Sequence, residues 1–156
     1  MNNSLDVVQI RRITAEQTVP LRHSVLWPDF PASHVLLADD AAGLHLGAFI
    51  PSEDTPVAVV SVFKESIPSS NTEEGGEPLP AARFRKLACD PAHRRRGIGS
   101  KLLEHMFNIA REELGCDVVW CDARVETQGW YERKGMRPFG EIFYKDNLPY
   151  IRMRRP

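Results

Sequence analysis

The chain has 156 residues, of which 42% are hydrophobic and 26% charged, and its formal net charge is −1. This length and composition predict one globular domain over residues 1–156, with a sizeable core. The near-zero charge argues against a nucleic-acid-binding protein. Three cysteines without zinc-ligand spacing predict neither a disulfide framework nor a metal site. No apolar run is long enough for a membrane span, so we expect a cytoplasmic protein without membrane contact.

The first half of the chain predicts a strand, a helix and a hairpin. Thr14 and Gln17 have the spacing of a capping box, and Pro20 should bend the helix that follows them. The next apolar segments alternate or are rich in β-branched residues, which favours an antiparallel pair of strands. A segment rich in Pro, Ser and Gly then predicts a mobile loop. We predict strands over 5–13, 44–50 and 57–64, a helix over 15–27, and the loop over 65–80.

The central stretch predicts a strand, a basic turn and a long helix. The strand covers 84–89 and ends at Asp90-Pro91, because proline cannot donate to a sheet ladder. Apolar residues then recur every fourth position, as on one face of a helix. Gly115 follows this pattern, where a left-handed cap is expected. The recurring residues are Ile98, Leu102, Met106, Ala110 and Leu114.

The start of this helix predicts an anion site. A helix start leaves backbone N–H groups without partners and carries partial positive charge. Gly97 and Gly99 allow close approach to the backbone, and the arginines 94–96 add charge. These features together favour binding of a di-anion such as a pyrophosphate.

The last third predicts a crossover and a second hairpin. The strand at 117–122 follows the long helix, so it should run parallel to the strand at 84–89. A short helix over 126–134 should end at Gly135. Strands over 137–144 and 148–153 then flank a turn-prone Lys145-Asp146-Asn147.

The run Arg94 to Gly99 fits R/Q-x-x-G-x-G/A after a strand and a proline, and it resembles the coenzyme A signature of the GNAT (GCN5-related) N-acetyltransferases. The order of predicted elements is similar to that fold over nearly the whole chain. The resemblance implies an α/β (α+β) fold: one mixed, mostly antiparallel sheet of about seven strands with one parallel β-α-β crossover. It also implies a splay between the fourth and fifth strands, in which the pantetheine arm of the cofactor lies.

The resemblance further implies an acyl-CoA-dependent N-acyltransferase that moves acetyl from acetyl-CoA to a primary amine by direct attack. Backbone N–H groups over Leu87 to Cys89 would stabilise the oxyanion. Tyr131, followed by Gly135-Met136, occupies the position of the family tyrosine that protonates the departing thiolate. The residues implied in coenzyme A binding are Leu87, Ala88, Cys89, Arg94, Arg95, Arg96, Gly97, Ile98, Gly99, Ser100 and Tyr131.

The general base and the acceptor are left open. Asp122, at the end of its strand where the family often has Asn, is the first candidate for the base, and Glu65 is the second. Either residue could instead be a solvated carboxylate. The acids Glu73, Glu74 and Glu77 in the predicted loop are compatible with a cationic acceptor or with simple solvation.

The tail resembles a subgroup of small bacterial GNAT proteins, with Leu148-Pro149-Tyr150 in place of an Ile-Pro-His turn. Tyr150 could line the acceptor pocket or cap the hairpin. The expected acceptor is a small-molecule or peptide amine, and a homodimer is possible for the family. Two alternatives stay open: a module that binds coenzyme A without turnover, and a dinucleotide-binding oxidoreductase. The second lacks the third glycine of its motif, since Leu102 replaces it.

Overall fold

The computed structural model describes residues 7–68 and 79–156. Its strands form a seven-stranded mixed sheet in the order β1-β2-β3-β4-β5-β7-β6. The helices are α1 (Ala15–Leu21), α2 (Ile98–Glu112) and α3 (Gln128–Glu132). The strands are β1 (Gln9–Ile13), β2 (Leu44–Phe49), β3 (Ala58–Lys64), β4 (Ala81–Cys89), β5 (Val118–Arg124), β6 (Arg137–Lys145) and β7 (Leu148–Arg155). The predicted α/β fold with one crossover is confirmed.

The chain forms two compact units. Unit 1 comprises Met1–Phe63 and Lys86–Asn108, and unit 2 comprises Lys64–Arg85 and Ile109–Pro156. The division falls within β4 and within α2. No helix of the described chain is long and apolar enough to cross a membrane.

Unit 1 contains the antiparallel strands β1, β2 and β3, with registers Arg11↔Gly47 and Leu46↔Val60. Thr14 begins α1 through the predicted capping box: its hydroxyl accepts from Gln17 N–H, and the Gln17 side chain accepts from Thr14 N–H. Pro20 lies inside α1, and the chain continues as a π-helix over Arg22–Leu26. The predicted bend is therefore a change of helix type directly after the proline.

A buried polar network in unit 1 was not predicted from the sequence. The Arg22 side chain is fully buried and forms two hydrogen bonds of 2.9 Å with the Asp40 carboxylate. It also donates to the Val35 carbonyl and, at 2.8 Å, to Ser61 Oγ. His45 lies 2.6 Å from Ser61 Oγ through Nδ1 and 2.8 Å from the Asp40 carbonyl through Nε2. The carbonyl only accepts, so His45 Nε2 carries a proton.

Unit 2 contains the parallel pair of β4 and β5, from Ala81↔Val118 to Arg83↔Trp120. It also contains β7, antiparallel to both β5 and β6. The predicted β6–β7 turn is present, with Asp146 and Asn147 at φ 49° and 68°. Two positive φ values in succession are typical of a tight hairpin turn.

Several predicted boundaries were wrong. The predicted helix over 126–134 is a 3₁₀ turn, Val125–Thr127, followed by the short α3. The strand predicted to end at Asp122 continues to Arg124, and the strand predicted from Phe84 begins at Ala81. Pairing with neighbouring strands extends both elements beyond their apolar segments. The first strand begins at Gln9, and residues 5–6 of its predicted range lie outside the described residues.

The end of α2 confirms the predicted glycine cap. Gly115 has φ 67°, the left-handed conformation expected just after a helix, and Cys116 N–H donates to the Ala110 carbonyl at 2.9 Å across the end of α2. A Cβ added at Gly115 meets no atom within 4 Å, so only the backbone conformation opposes a side chain there. The apolar residues at every fourth position of α2 are buried, as the sequence predicted. They are Ile98, Leu102, Met106 and Ala110.

We expect Gly115→Ala to lower the free energy of unfolding by about 1 kcal/mol, because alanine must adopt the left-handed conformation. Gly115→Asn should cost less, since asparagine tolerates this region. Urea denaturation of the two variants tests this. An alanine variant as stable as wild type would contradict the assigned cap.

Candidate active site

The turn after β4 presents backbone N–H groups and positive charge together. Asp90 Oδ1 accepts from Ala92 N–H and begins a 3₁₀ turn over Pro91–His93. Arg95 and Gly97 then have φ values of 65° and 76°, and α2 begins directly afterwards. Alternating left-handed residues before a helix are typical of backbone nests that bind anions.

The electrostatics of this turn suit an anion. The side chains of Arg94, Arg95 and Arg96 are exposed, and the first turn of α2 contains no acidic residue. Arg94 Nε donates to the Cys89 carbonyl at 3.3 Å, which holds that side chain against the end of β4. Exposed cations and free helix-start amides fit the pyrophosphate of coenzyme A.

Strand β4 contains a strained residue that the sequence did not reveal. Lys86 has φ 58°, in the left-handed region that residues other than glycine seldom adopt in a strand. Its Nζ lies 5.9 Å from the centre of the Trp27 ring. The predicted oxyanion residues, Leu87 to Cys89, follow directly. Burial raises the pKa of the Cys89 thiol, so the thiol is neutral.

Tyr131 is held by aromatic contacts in unit 2. Its ring centre lies 5.8 Å from that of Phe84 on β4 and 5.1 Å from that of Trp130. Burial, followed by the neighbouring Cys121, raises the pKa of the Tyr131 phenol well above its usual value. The hydroxyl makes no hydrogen bond to any residue that the structure describes. Tyr131 is therefore protonated across the neutral pH range, and within the described part of the chain its O–H group has no acceptor.

Asp122, the first candidate for the base, is surrounded by cations. Its carboxylate is 7% exposed and lies 2.7 Å from Arg83 Nη2, 2.9 Å from Lys145 Nζ and 3.3 Å from Arg152 Nε. Burial alone would raise the pKa of Asp122, but these three positive charges outweigh it and lower the pKa. A lowered pKa weakens a carboxylate as a proton acceptor.

Glu65, the second candidate, is more exposed. Its carboxylate pairs with Arg83 at 3.1 Å, and its carbonyl accepts from Trp120 Nε1 at 2.9 Å. Both base assignments stay predictions. Glu73, Glu74 and Glu77 lie outside the described residues, as does most of the loop predicted over 65–80.

Tyr150 is buried and stacks on Phe143, with ring centres 5.9 Å apart. Its hydroxyl accepts from Arg124 Nε at 3.5 Å. The predicted site residues thus fall in two sets. The set over 87–100 lies in unit 1, whereas Glu65, Asp122 and Tyr131 lie in unit 2.

Comparison with known proteins identifies the class. The family model for the acetyltransferase (GNAT) domain matches residues 33–137. The chain therefore belongs to the GNAT acetyltransferase family. Its members transfer acyl groups from acyl-CoA to small-molecule or peptide amines, and the protein is accordingly a transferase. The observed mixed sheet also contradicts the alternative of a doubly wound dinucleotide-binding domain.

One curated relative is the uncharacterized N-acetyltransferase YitI of Bacillus subtilis (strain 168). It is 30% identical over 139 residues, which cover 88% of this chain and 87% of YitI. Two solved structures share the fold. ElaA of Escherichia coli has a TM-score of 0.72 at 17% identity, covering 96% of this chain and 99% of ElaA. An acyl-CoA N-acyltransferase from Pseudomonas aeruginosa has a TM-score of 0.68 at 20% identity. The match covers 96% of this chain and 98% of the Pseudomonas chain.

Proposed function

We propose that the protein transfers the acetyl group of acetyl-CoA to a primary amine by direct attack through one tetrahedral intermediate. The observation that carries this proposal is the turn before α2. It combines left-handed Arg95 and Gly97, exposed arginines and a helix start without acidic residues. Membership of the GNAT family supplies the reaction class.

In the proposed reaction the pyrophosphate of the substrate binds the backbone N–H groups at Gly97 to Ser100, with Arg94 to Arg96 around it. The amine attacks the thioester carbonyl, and backbone N–H groups over Leu87 to Cys89 stabilise the oxyanion. The C–S bond then breaks, and Tyr131 protonates the departing thiolate. The attacking ammonium must first lose a proton. Asp122 and Glu65 remain the candidates for accepting it, although their contacts with cations weigh against both.

The test is acetyl-CoA consumption against a panel of primary amines, with propionyl-CoA and longer acyl-CoA compounds in parallel. Thermal shift with coenzyme A and with NAD measures cofactor binding apart from turnover. Acetyl transfer to any amine supports the proposal. Coenzyme A binding without transfer to any amine would favour a binding module instead.

We expect Tyr131→Phe to lower kcat by about 100-fold, because the general acid for the thiolate is lost. The affinity for coenzyme A and the melting temperature should change little, since the hydroxyl makes no hydrogen bond among the described residues. Tyr144→Phe is the matched control, because Tyr144 is 70% exposed. An unchanged kcat in Tyr131→Phe would assign the proton transfer to another group.

A further inference from the structure

Hydrogen bonds hold the peptide group between Cys89 and Asp90 on both sides. The Asp90 N–H donates at 2.8 Å to the carbonyl of Val57, the residue before β3. The Cys89 carbonyl accepts from Arg94 Nε at 3.3 Å. A further bond, from Ala92 N–H to Asp90 Oδ1, fixes the chain that follows. The peptide that ends β4 is therefore tied to β3 through its N–H and to the turn before α2 through its carbonyl.

The three arginines of this turn are not equivalent. Arg94 has an extended backbone, with φ −70° and ψ 162°, and its side chain turns back to β4. Arg95 has the left-handed φ of 65°, and Arg96 Nη1 donates to His93 Nδ1 at 3.4 Å within the turn itself. Among the residues that the structure describes, Arg94 is the one of the three whose side chain joins the turn to β4.

The guanidinium of Arg94 is able to bind in two directions at once. A guanidinium has five N–H donors in a planar fork, and the bond to the Cys89 carbonyl uses the donor on Nε. The two terminal nitrogens form a separate edge, which suits bidentate binding of a phosphate. The side chain is exposed, and its charge acts on β4: burial raises the pKa of the Cys89 thiol, and Arg94 partly opposes the increase. An anion bound at the outer edge would fix the side chain that holds β4.

The anchored peptide lies directly after the residues that the proposed reaction uses as oxyanion donors. Leu87 to Cys89 are bounded on one side by the strained Lys86, with φ 58°, and on the other by the peptide that Arg94 holds. A left-handed residue within a strand persists only where its surroundings fix it. A displacement of about 1 Å in an active site costs on the order of 100-fold in rate. The direction of the donor N–H groups thus depends on both ends of this segment.

We propose that Arg94 is a positioning residue that links cofactor binding to the oxyanion donors. Its terminal nitrogens bind the pyrophosphate of coenzyme A while Nε holds the Cys89 carbonyl, so that binding of the cofactor fixes the segment from Leu87 to Cys89. The inference rests on the proposed acyltransferase function and gives one of the three arginines a role beyond charge. Lysine cannot replace it, because an ammonium is a point charge without a second donor edge.

The first experiment needs no acceptor amine. Amide hydrogen exchange of Asp90, measured by NMR, reports how often the anchored peptide opens, since this N–H is bonded to Val57. We expect saturating coenzyme A to slow this exchange by at least about tenfold in the wild type, because a charge-assisted bond is then held in place. In Arg94→Lys, also saturated, we expect less than about threefold. The matched control is Arg133→Lys, since Arg133 is exposed on the C-cap of α3.

The second experiment separates affinity from turnover. Arg94→Lys keeps the positive charge, so its Kd for coenzyme A should stay within about threefold of the wild-type value. Its kcat, with an amine that the panel identifies, should fall by about tenfold because the donor segment is no longer fixed. Arg94→Gln should lose affinity as well, by at least about tenfold. The melting temperatures should change little, because the side chain is exposed.

Three results would overturn the inference. They are a wild-type kcat in Arg94→Lys, equal slowing of Asp90 exchange in Arg94→Lys and the wild type, and no slowing in the wild type. Slowing that depends on Arg94, without transfer to any amine, would support the link and overturn the acyltransferase function. If the wild type does not bind coenzyme A, both proposals fail.

Discussion

Asp40→Ala is expected to lower the free energy of unfolding by about 3–5 kcal/mol, the range measured when one partner of a buried ion pair is removed. Arg22 is fully buried, and both of its bonds to a carboxylate go to Asp40. The variant would leave that guanidinium with only the Val35 carbonyl and Ser61 Oγ as acceptors among the described residues. A loss of this size is a large part of the stability of an ordinary domain.

The matched control is Asp39→Ala, one residue earlier and exposed. It should change the free energy of unfolding by less than about 0.5 kcal/mol. Urea denaturation followed by circular dichroism measures both variants, with the slope of the transition checked for two-state behaviour. Equal midpoints for Asp40→Ala and Asp39→Ala would show that the buried pair contributes nothing net to stability.

The same pair predicts a pH dependence. Burial raises the pKa of Asp40, but hydrogen bonds from Arg22 and Leu37 N–H and the charge of Arg22 together lower it below its usual value. The stabilisation is thus fully present above the pKa of an unfolded aspartate, about 3.9, and is lost as the pH falls through the lower folded value. The stability difference between wild type and Asp40→Ala should therefore shrink below about pH 4.

Gly97→Glu is expected to reduce the affinity for coenzyme A by at least about 100-fold. The change places a carboxylate where the proposed pyrophosphate site lies, and like charges brought together cost several kcal/mol. It also forces a side chain into the left-handed conformation at φ 76°. Isothermal titration with coenzyme A measures the effect.

Two controls separate charge from conformation. Gly97→Asn keeps a residue that tolerates the left-handed region and adds no charge, so it should retain more affinity than Gly97→Glu. Ala92→Glu adds the same charge at an exposed position in the 3₁₀ segment Pro91–His93, several residues before Gly97. If Gly97→Glu binds coenzyme A with wild-type affinity, the pyrophosphate does not bind at this turn.

The local elements of the fold were predictable because their signals are local. Three features depend only on neighbours in the sequence. They are the capping box of Thr14 and Gln17, the apolar residue at every fourth position of α2, and the glycine after its end. The basic turn before α2 was predictable for the same reason, since glycine and arginine spacing define it. Short elements such as α3 were less well predicted, because tertiary contacts decide the boundaries of so few residues.

The surroundings of Asp122 could not be read in this way. Arg83 and Arg152 lie 39 and 30 residues from Asp122 along the chain, and only the sheet register makes them its neighbours. From the sequence alone Asp122 could be a base or a solvated carboxylate. In the structure it is neither free nor solvated, because it binds three cations.

By itself the sequence determined the class of this protein: the order of strands and helices, the basic turn before α2 and the position of Tyr131 define a GNAT acyltransferase. Only the tertiary structure decided which charges are buried together. It places Arg22 with Asp40, strains Lys86 within β4, and brings Arg83, Lys145 and Arg152 to the Asp122 carboxylate. The physical reason is that helix periodicity and turn chemistry act between sequence neighbours, whereas electrostatic balance depends on distances through space that the tertiary fold sets.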